Sequence, residues 1–183
     1  MNDGIYHPLS AKRFLDYQEG IENLIQKVAD ADARIVLITP PLFDASAKET
    51  LSPSGSSYYS YKSPYENYND VLKTYGKWIL LTELPVVAKV DLNYPMFEYN
   101  QTRRKTDPEF HLAKDGVHPG ELGHFIMALT ILEAFRISVS GDPAEVLAET
   151  LADPLFTKIH ERRKLRSKGW LEFIGYERRE LVK

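Results

Sequence analysis

The stretch R-I-V-L-I-T, from Arg34 to Thr39, decides the fold class of this 183-residue chain. It is a short β-branched run with a continuous apolar centre, and Pro40-Pro41 ends it. A run of this kind is typical of a strand buried on both faces, as in a parallel sheet covered by helices. A second such run, V-V-A-K-V-D-L at residues 86–92, follows a helical pattern at residues 66–83. The order strand, helix, strand predicts a βαβ unit and therefore an α/β fold.

Apolar periodicity and capping residues predict further helices around this unit. Apolar residues recur at three- and four-residue spacing after Ser10, which is a typical N-cap. Asp142-Pro143 and Asp153-Pro154 each place an N-cap before a first-turn proline, so a helix is expected to start at both. The predicted helices are residues 10–31, 96–104, 121–137, one starting at 143 and one running from 154 to about 168.

The composition is that of a globular protein with one main core. Apolar residues make up 43% of the chain and charged residues 27%, which is ordinary for a soluble domain. The net charge of -3 gives no electrostatic case for a nucleic-acid partner, which needs a concentrated basic face. The basic cluster at residues 162–166 has Glu161 and Glu172 close by, and it is interpreted as a solvated helix face.

Several classes of site and location are excluded or disfavoured by the sequence. The chain has no cysteine, so disulfides, thiolate metal sites and cysteine nucleophiles are excluded. No apolar stretch is long enough to span a bilayer, and the first residues do not resemble a signal peptide. As written, the chain is expected to be cytoplasmic, with no membrane span and no cofactor.

Chemistry concentrates in residues 114–124, which read K-D-G-V-H-P-G-E-L-G-H. Asp115 and His118 are three residues apart and can lie on one side of a turn, with the carboxylate holding the imidazole. Such a pair fixes the tautomer of the base and stabilises the imidazolium in serine hydrolases. The alternative is a helix-capping Asp115 and a structural His118. The apolar helix that follows and the wider pattern D-G-V-H-P-x-x-x-G-H favour the pair.

That wider pattern resembles block five of the SGNH (GDSL-type) esterases and lipases. The N-terminal sequence M-N-D-G-I-Y is similar to block three of the family, normally G-x-N-D, and the two predicted strands are similar to the last two strands of its sheet. The order and spacing agree over residues 1–137. The resemblance implies part of a flavodoxin-like, three-layer α/β/α hydrolase domain at residues 1–137. Residues 138–183 are a helical C-terminal extension, expected to pack on that domain.

The resemblance also implies a role for each of three residues. His118 is the general base, Asp115 orients it, and the Asn2 side chain donates to the oxyanion hole. Such a donor contributes roughly 3 kcal/mol of transition-state stabilisation in other enzymes. Gly123 and His124 are expected to pack the following helix beneath the base. The implied activity is ester hydrolysis, with short acyl esters or O-acetylated carbohydrates as substrates.

The chain departs from the family pattern at the nucleophile. The family's serine lies in a G-D-S motif on the first strand, and a second block supplies an oxyanion glycine. Neither block occurs in this sequence, and the nearest substitute is Gly55-Ser56-Ser57 in the long loop. The chain is therefore expected to be inactive as given. Either Met1 is an internal residue of a longer protein, or the chain has lost its catalysis; the presence of Asn2 together with Asp115 and His118 favours the first interpretation.

Two further features of the sequence are a possible metal site and the aromatic residues of a long loop. No third ligand accompanies Asp115 and His118 at metal-binding spacing except His111, so no metal site is predicted. Residues 42–64 form a long polar loop, and such loops often lie over an active site. The aromatic residues of this loop and of the helix start that follows it either line an acyl or sugar pocket or cover the sheet edge. They are Tyr58, Tyr59, Tyr61, Tyr65 and Tyr68.

Two strands leave an unprotected sheet edge, and this has a consequence for assembly. In the family order the strand from Arg34 to Thr39 pairs with a third strand that is absent here. An open apolar edge invites pairing with another chain, most simply in a two-fold homodimer. A catalytically silent association module is therefore the alternative function to an ester hydrolase.

Overall fold

A computed structural model gives the structure of residues 4–176. The chain divides into two compact units, residues 1–139 and residues 140–183. In order along the chain, the elements are α1 (Ala11–Asp30), β1 (Val36–Ile38), a 3₁₀ turn (Ala45–Ala47), α2 (Tyr68–Leu81), β2 (Ala88–Val90), α3 (Asn93–Arg104), α4 (Glu121–Ala134), α5 (Pro143–Ala152) and α6 (Pro154–Phe173).

The two strands form a parallel pair joined by α2, so the predicted βαβ unit and α/β class are confirmed. The register pairs Val36 with Ala88 and Ile38 with Val90. Each strand is shorter than predicted. Pro40 and Pro41 have no N–H groups to continue the ladder. It extends by one bond at each end, from the Thr39 N–H to the Val90 carbonyl and from the Val87 N–H to the Ile35 carbonyl, both at 2.9 Å.

Helices pack on both faces of this small sheet. On one face, Leu37 lies in a buried cluster with Ile25 of α1 and Ile79 of α2. On the other face, Val90 lies in a cluster with Met96 of α3 and Ile126 of α4. Leu37 and Val90 are thereby buried on opposite faces of the sheet, as in a sheet covered by helices on both sides.

The prediction that the first strand is buried on both faces is wrong at its end. Ile38 is 39% exposed, and Val36 is only half-buried. Within residues 4–176, β1 pairs only with β2, so its other edge has no neighbouring strand. An apolar groove of about 430 Å³ lies at this end of β1. Its walls include Ile38 together with Tyr17 and Ile21 of α1 and Met127 and Ile131 of α4.

Capping residues set the helix starts, as the sequence predicts. The Ser10 side chain accepts from the Arg13 N–H at 3.4 Å. Asp142 and Asp153 accept the N–H groups two residues ahead of them, at 2.9 and 2.6 Å. In the second unit these two caps start α5 and α6, and α6 continues to Phe173, beyond the predicted end at about residue 168.

Two helices of the first unit differ from prediction by three residues at one end, whereas α2 is two residues shorter than predicted at each end. α3 starts at Asn93 instead of residue 96, because the Asp91 carboxylate accepts the N–H groups of Asn93 and Tyr94 at 3.0 and 3.4 Å. α4 ends at Ala134 instead of residue 137. Arg136 adopts a positive φ of 62°, and the Ile137 N–H turns back to the Leu132 carbonyl at 3.0 Å.

The long segment between β1 and α2 is partly buried, not a surface loop throughout. Phe43 is 1% exposed and lies edge-on to Tyr68, with 5.4 Å between ring centroids. An isolated bridge joins Ser52 to Tyr65 and closes the loop at its base. The loop is therefore anchored at both ends to the core that carries the candidate site.

Among the described residues, the helices are all too short or too polar to cross a bilayer.

Core burial in α2 gives a stability prediction. Leu72 is 2% exposed, whereas Leu81 on the same helix is 73% exposed. We expect Leu72→Ala to lower the free energy of unfolding by about 2–5 kcal/mol, because it leaves a cavity among packed side chains. Leu81→Ala is the matched control and should cost under about 1 kcal/mol. Urea denaturation measures both, and equal losses would contradict the assigned core.

Candidate active site

The site is built on the turn that follows α3 and precedes α4. Asp115 accepts two backbone N–H groups on Oδ1, from Val117 at 2.9 Å and from His118 at 2.8 Å. Gly116 has a φ of +75°, and a Cβ at this position would lie 2.6 Å from the Asp44 carbonyl oxygen. The turn therefore requires glycine at residue 116 for both its conformation and its close contact.

Asp115 and His118 form a direct side-chain pair. His118 Nδ1 lies 2.6 Å from Asp115 Oδ2, and the His118 side chain is 74% exposed. An ionised carboxylate only accepts hydrogen bonds, so Nδ1 must carry the proton. In the neutral imidazole this assignment leaves Nε2, on the far side of the ring, as the proton acceptor. The geometry is that of an oriented general base.

The surroundings of Asp115 hold its pKa well below the usual range. Burial raises the pKa, but the hydrogen bonds outweigh burial. In order of size they come from the backbone and imidazole of His118, the hydroxyl of Tyr61 and the backbone of Val117. Asp115 is therefore a carboxylate throughout the pH range in which proteins work.

Tyr61 completes the shell of donors around Asp115. Its hydroxyl donates to Oδ2 at 2.7 Å, and its ring centroid lies 5.9 Å from that of His118. The hydrogen bond to Asp115 is the largest of the influences that raise the pKa of Tyr61 to about 12. The sequence left this tyrosine as either a pocket or a covering residue. The structure places it against the Asp115–His118 pair.

A second carboxylate, Asp44, ties this turn to the rest of the unit. Its backbone N–H donates to the Gly116 carbonyl at 2.9 Å. Its side chain is 6% exposed, is paired with Arg104, and accepts from Asn100 Nδ2 at 3.0 Å. His111 Nδ1 also lies 2.9 Å from Asp44 Oδ2. Asp44 therefore connects the end of β1, α3 and the turn that carries His118.

Sequence reasoning did not identify Asp44. A positional signal was present, since Asp44 follows closely on the carboxyl end of β1, the edge at which sites of parallel sheets are built. Apart from the neighbouring Ser46, its side-chain partners lie 56 to 67 residues away and have no common motif. The pattern of apolar residues gave no reason to pair it with Arg104.

The other predicted residues have different outcomes. Asn2 lies outside the described residues. Gly123 is buried, and a Cβ there would lie 2.8 Å from Pro119 Cβ, so its packing role is supported. The packing role of His124 is wrong: its side chain is exposed, and Nδ1 contacts the Gly120 carbonyl at 3.1 Å.

The hydroxyls of Ser52, Ser56 and Ser63 and the imidazole of His111 form bonds away from His118. Ser56 Oγ donates to the Pro53 carbonyl at 2.8 Å within its own turn, and Ser52 Oγ lies 2.7 Å from Ser63 Oγ. His111 binds Asp44 instead of joining His118. Over residues 4–176, no three His, Asp or Glu side chains converge as a metal site would require.

A surface cavity of about 530 Å³ adjoins the pair. Apolar walls and a few polar groups line it, which is the usual make-up of a small-molecule pocket. The lining residues are Phe110, His111, Leu112, Lys114, Asp115, His118, Gly120, Glu121 and Leu122. A substrate bound there would lie within contact of the imidazole.

Comparisons with known proteins identify no family for this chain. No family model matches it, and no curated protein matches it. Among solved structures, a gut microbial diltiazem-metabolizing enzyme is similar to it, with a TM-score of 0.49 and 24% identity. The match covers 73% of this chain, and this chain spans only 30% of that one. A likeness at this level carries no argument about function, so the chemistry of the site rests on its own residues.

The Asp44 network gives a prediction of how stability depends on pH. Burial opposes ionisation of Asp44, but hydrogen bonds from Arg104, Ser46, His111 and Asn100 together lower its pKa to about 2. Because the folded-state pKa lies below the ordinary value of 3.8, the stabilisation is complete above that value and is lost as pH falls toward about 2. At neutral pH it amounts to about 2 kcal/mol.

Asp44→Asn should therefore lower the free energy of unfolding at neutral pH by about 2 kcal/mol or more. The difference from wild type should shrink as pH is lowered through the acid range, as urea denaturation at several pH values would show. Asp16→Asn removes an exposed pair with Lys12 and is the control, with an expected loss under about 1 kcal/mol. A pH-independent loss at Asp44 would contradict the ionic role.

Proposed function

We propose that His118 is the general base of a serine ester hydrolase of the SGNH type and that the Asp115 carboxylate orients it. The observation that carries the proposal is the 2.6 Å bond between His118 Nδ1 and Asp115 Oδ2, in a turn of sequence D-G-V-H-P. It fixes the imidazole with Nε2 directed away from the carboxylate. On this proposal, residues 1–137 are part of the hydrolase domain and residues 138–183 are a helical extension of it.

The proposed reaction follows the two-step course of serine hydrolases. A serine Oγ attacks the acyl carbonyl, and its proton passes to Nε2 of His118 while Asp115 stabilises the imidazolium. The imidazolium then protonates the departing alcohol, which leaves an acyl-serine. Water attacks that ester with His118 again as base, and the acid and free serine result. Asn2 is proposed to donate to the oxyanion in both steps.

The nucleophile of this proposal lies outside the 183 residues. They contain no G-D-S motif, and across residues 4–176 no serine hydroxyl is hydrogen-bonded to His118. The serine must then come from another segment or another chain. The 183-residue chain alone is accordingly proposed to be inactive. Short acyl esters and O-acetylated carbohydrates are the proposed substrates, by resemblance to the family.

Turnover of p-nitrophenyl acetate tests the proposal. The 183-residue chain should hydrolyse it no faster than buffer, and the longest in-frame protein that contains these residues should be active. In that protein His118→Ala should reduce kcat on the order of 10⁴-fold or more, because a triad without its base retains little catalysis. His124→Ala, an exposed histidine on α4, is the matched control and should leave kcat unchanged. Activity that survives His118→Ala would refute the proposed base.

A second candidate function, a catalytically silent association module, is favoured by the open edge of β1. Ile38 is 39% exposed beside an apolar groove of about 430 Å³, and such edges are templates for pairing with another chain. We propose a two-fold homodimer of the 183-residue chain, in which the edges from Arg34 to Thr39 meet antiparallel across the axis. On this proposal the chain serves assembly instead of catalysis.

Light scattering coupled to size-exclusion chromatography tests this association. The 183-residue chain should elute as a dimer, and Ile38→Lys should shift it to monomer, because a charge beside an open edge opposes strand pairing. Leu51→Lys is the control, since Leu51 is similarly exposed, at 37%, but lies in the long loop. A monodisperse wild-type monomer would rule out the dimer.

A further inference from the structure

We propose that Tyr61 is a positioning residue of the Asp115–His118 pair: its hydroxyl fixes the carboxylate and shares the oxygen that binds the imidazole. The inference rests on the proposed function, because it gives Tyr61 a part in orienting the base. It goes beyond the D-G-V-H-P motif, since Tyr61 lies 54 residues before Asp115, in the long loop.

The first support is that the carboxylate of Asp115 is fully occupied. Oδ1 accepts the backbone N–H groups of Val117 and His118, and Oδ2 accepts from His118 Nδ1 at 2.6 Å and Tyr61 at 2.7 Å. A carboxylate has about four acceptor positions, so these donors leave it no free one. Rotation of the carboxylate away from His118 would break at least two of these bonds.

The second support is that Tyr61 is itself held in place. Lys48 Nζ donates to the Tyr61 carbonyl at 3.0 Å and lies 4.0 Å from the centroid of its ring. The ring of Tyr6 lies edge-on to Tyr61, with 5.8 Å between centroids. The contacts of Lys48 with the Tyr61 backbone and ring, and of Tyr6 with the Tyr61 ring, therefore hold the hydroxyl toward Asp115 before any substrate binds.

The third support is the chemistry of a shared oxygen. When His118 takes a proton on Nε2, the imidazolium is stabilised by the negative charge on Oδ2. The Tyr61 hydroxyl keeps its proton, because the pKa of Tyr61 is raised to about 12, and it remains a hydrogen-bond donor to Oδ2. It therefore holds the geometry in both protonation states of the base. Hydrogen bonds to charged groups are the strong ones in proteins.

A merely structural role, in which Tyr61 anchors its loop, predicts something different. Removal of the hydroxyl would then alter loop order or stability but not the imidazole. The matched control is Tyr58→Phe, which removes the hydroxyl of a tyrosine in the same loop that is 69% exposed. Tyr61→Phe keeps the ring, so its contacts with Tyr6 and Lys48 are retained.

The first measurement needs no activity. Long-range proton–nitrogen NMR of the histidine side chains in the 183-residue chain reports which nitrogen of His118 carries the proton. Wild type and Tyr58→Phe should show the proton on Nδ1 with a resolved Nδ1–H signal. Tyr61→Phe should broaden or lose that signal and mix the two tautomers. An unchanged His118 spectrum in Tyr61→Phe would overturn the inference.

The second measurement uses the longer protein that is active toward p-nitrophenyl acetate. Tyr61→Phe should lower kcat about 10- to 100-fold, the effect of losing a hydrogen bond to a charged group, and leave KM nearly unchanged. Tyr58→Phe should change neither. If His118→Ala abolishes activity while Tyr61→Phe leaves kcat intact, the inference fails alone. If His118→Ala has no effect, the proposed function fails and the inference fails with it.

Discussion

The site depends on the hydrogen bonds and the ion pair of the buried carboxylate of Asp44. It pairs with Arg104 and accepts from Asn100 on α3, while its own backbone N–H holds the carbonyl of Gly116. A charge in such a position is costly to bury without partners, and here every neighbour is a donor. The end of β1, α3 and the turn of His118 are thereby fixed to one another. The turn of the candidate base is tied to this network by the hydrogen bond from the Asp44 N–H to the Gly116 carbonyl.

The carboxylates of Asp44 and Asp115 have different roles in this unit, and their surroundings differ. Asp44 is nearly inaccessible and serves the fold, whereas the imidazole on Asp115 is largely exposed and faces solvent. Both pKa values are lowered by hydrogen bonds that outweigh burial. One carboxylate therefore supports the fold from inside, and the other holds the exposed imidazole. That arrangement is what a general base needs, since it must be rigid and yet reachable by substrate.

A short apolar run in the sequence predicted the strands of the sheet but not how deeply each residue is buried. The βαβ unit was predictable because the runs at residues 34–39 and 86–92 contain several β-branched residues and the helix between them has a clear period. The exposure of Ile38 was not, because burial of an edge strand depends on what lies beside it. The helix ends that differ from prediction have a local cause instead: Asp91 caps the start of α3 and the positive φ of Arg136 ends α4, and neither contact is apparent from apolar periodicity.

The sequence by itself determined the local chemistry: the turn that pairs Asp115 with His118 and the caps of α1, α5 and α6. In each case the interacting groups are at most a few residues apart, so the spacing along the chain sets the geometry. Only the tertiary structure decided that Tyr61 donates to Asp115 and that Asp44 pairs with Arg104. These contacts join residues 54 and 60 positions apart, and only the packing of the whole unit brings them within hydrogen-bonding distance.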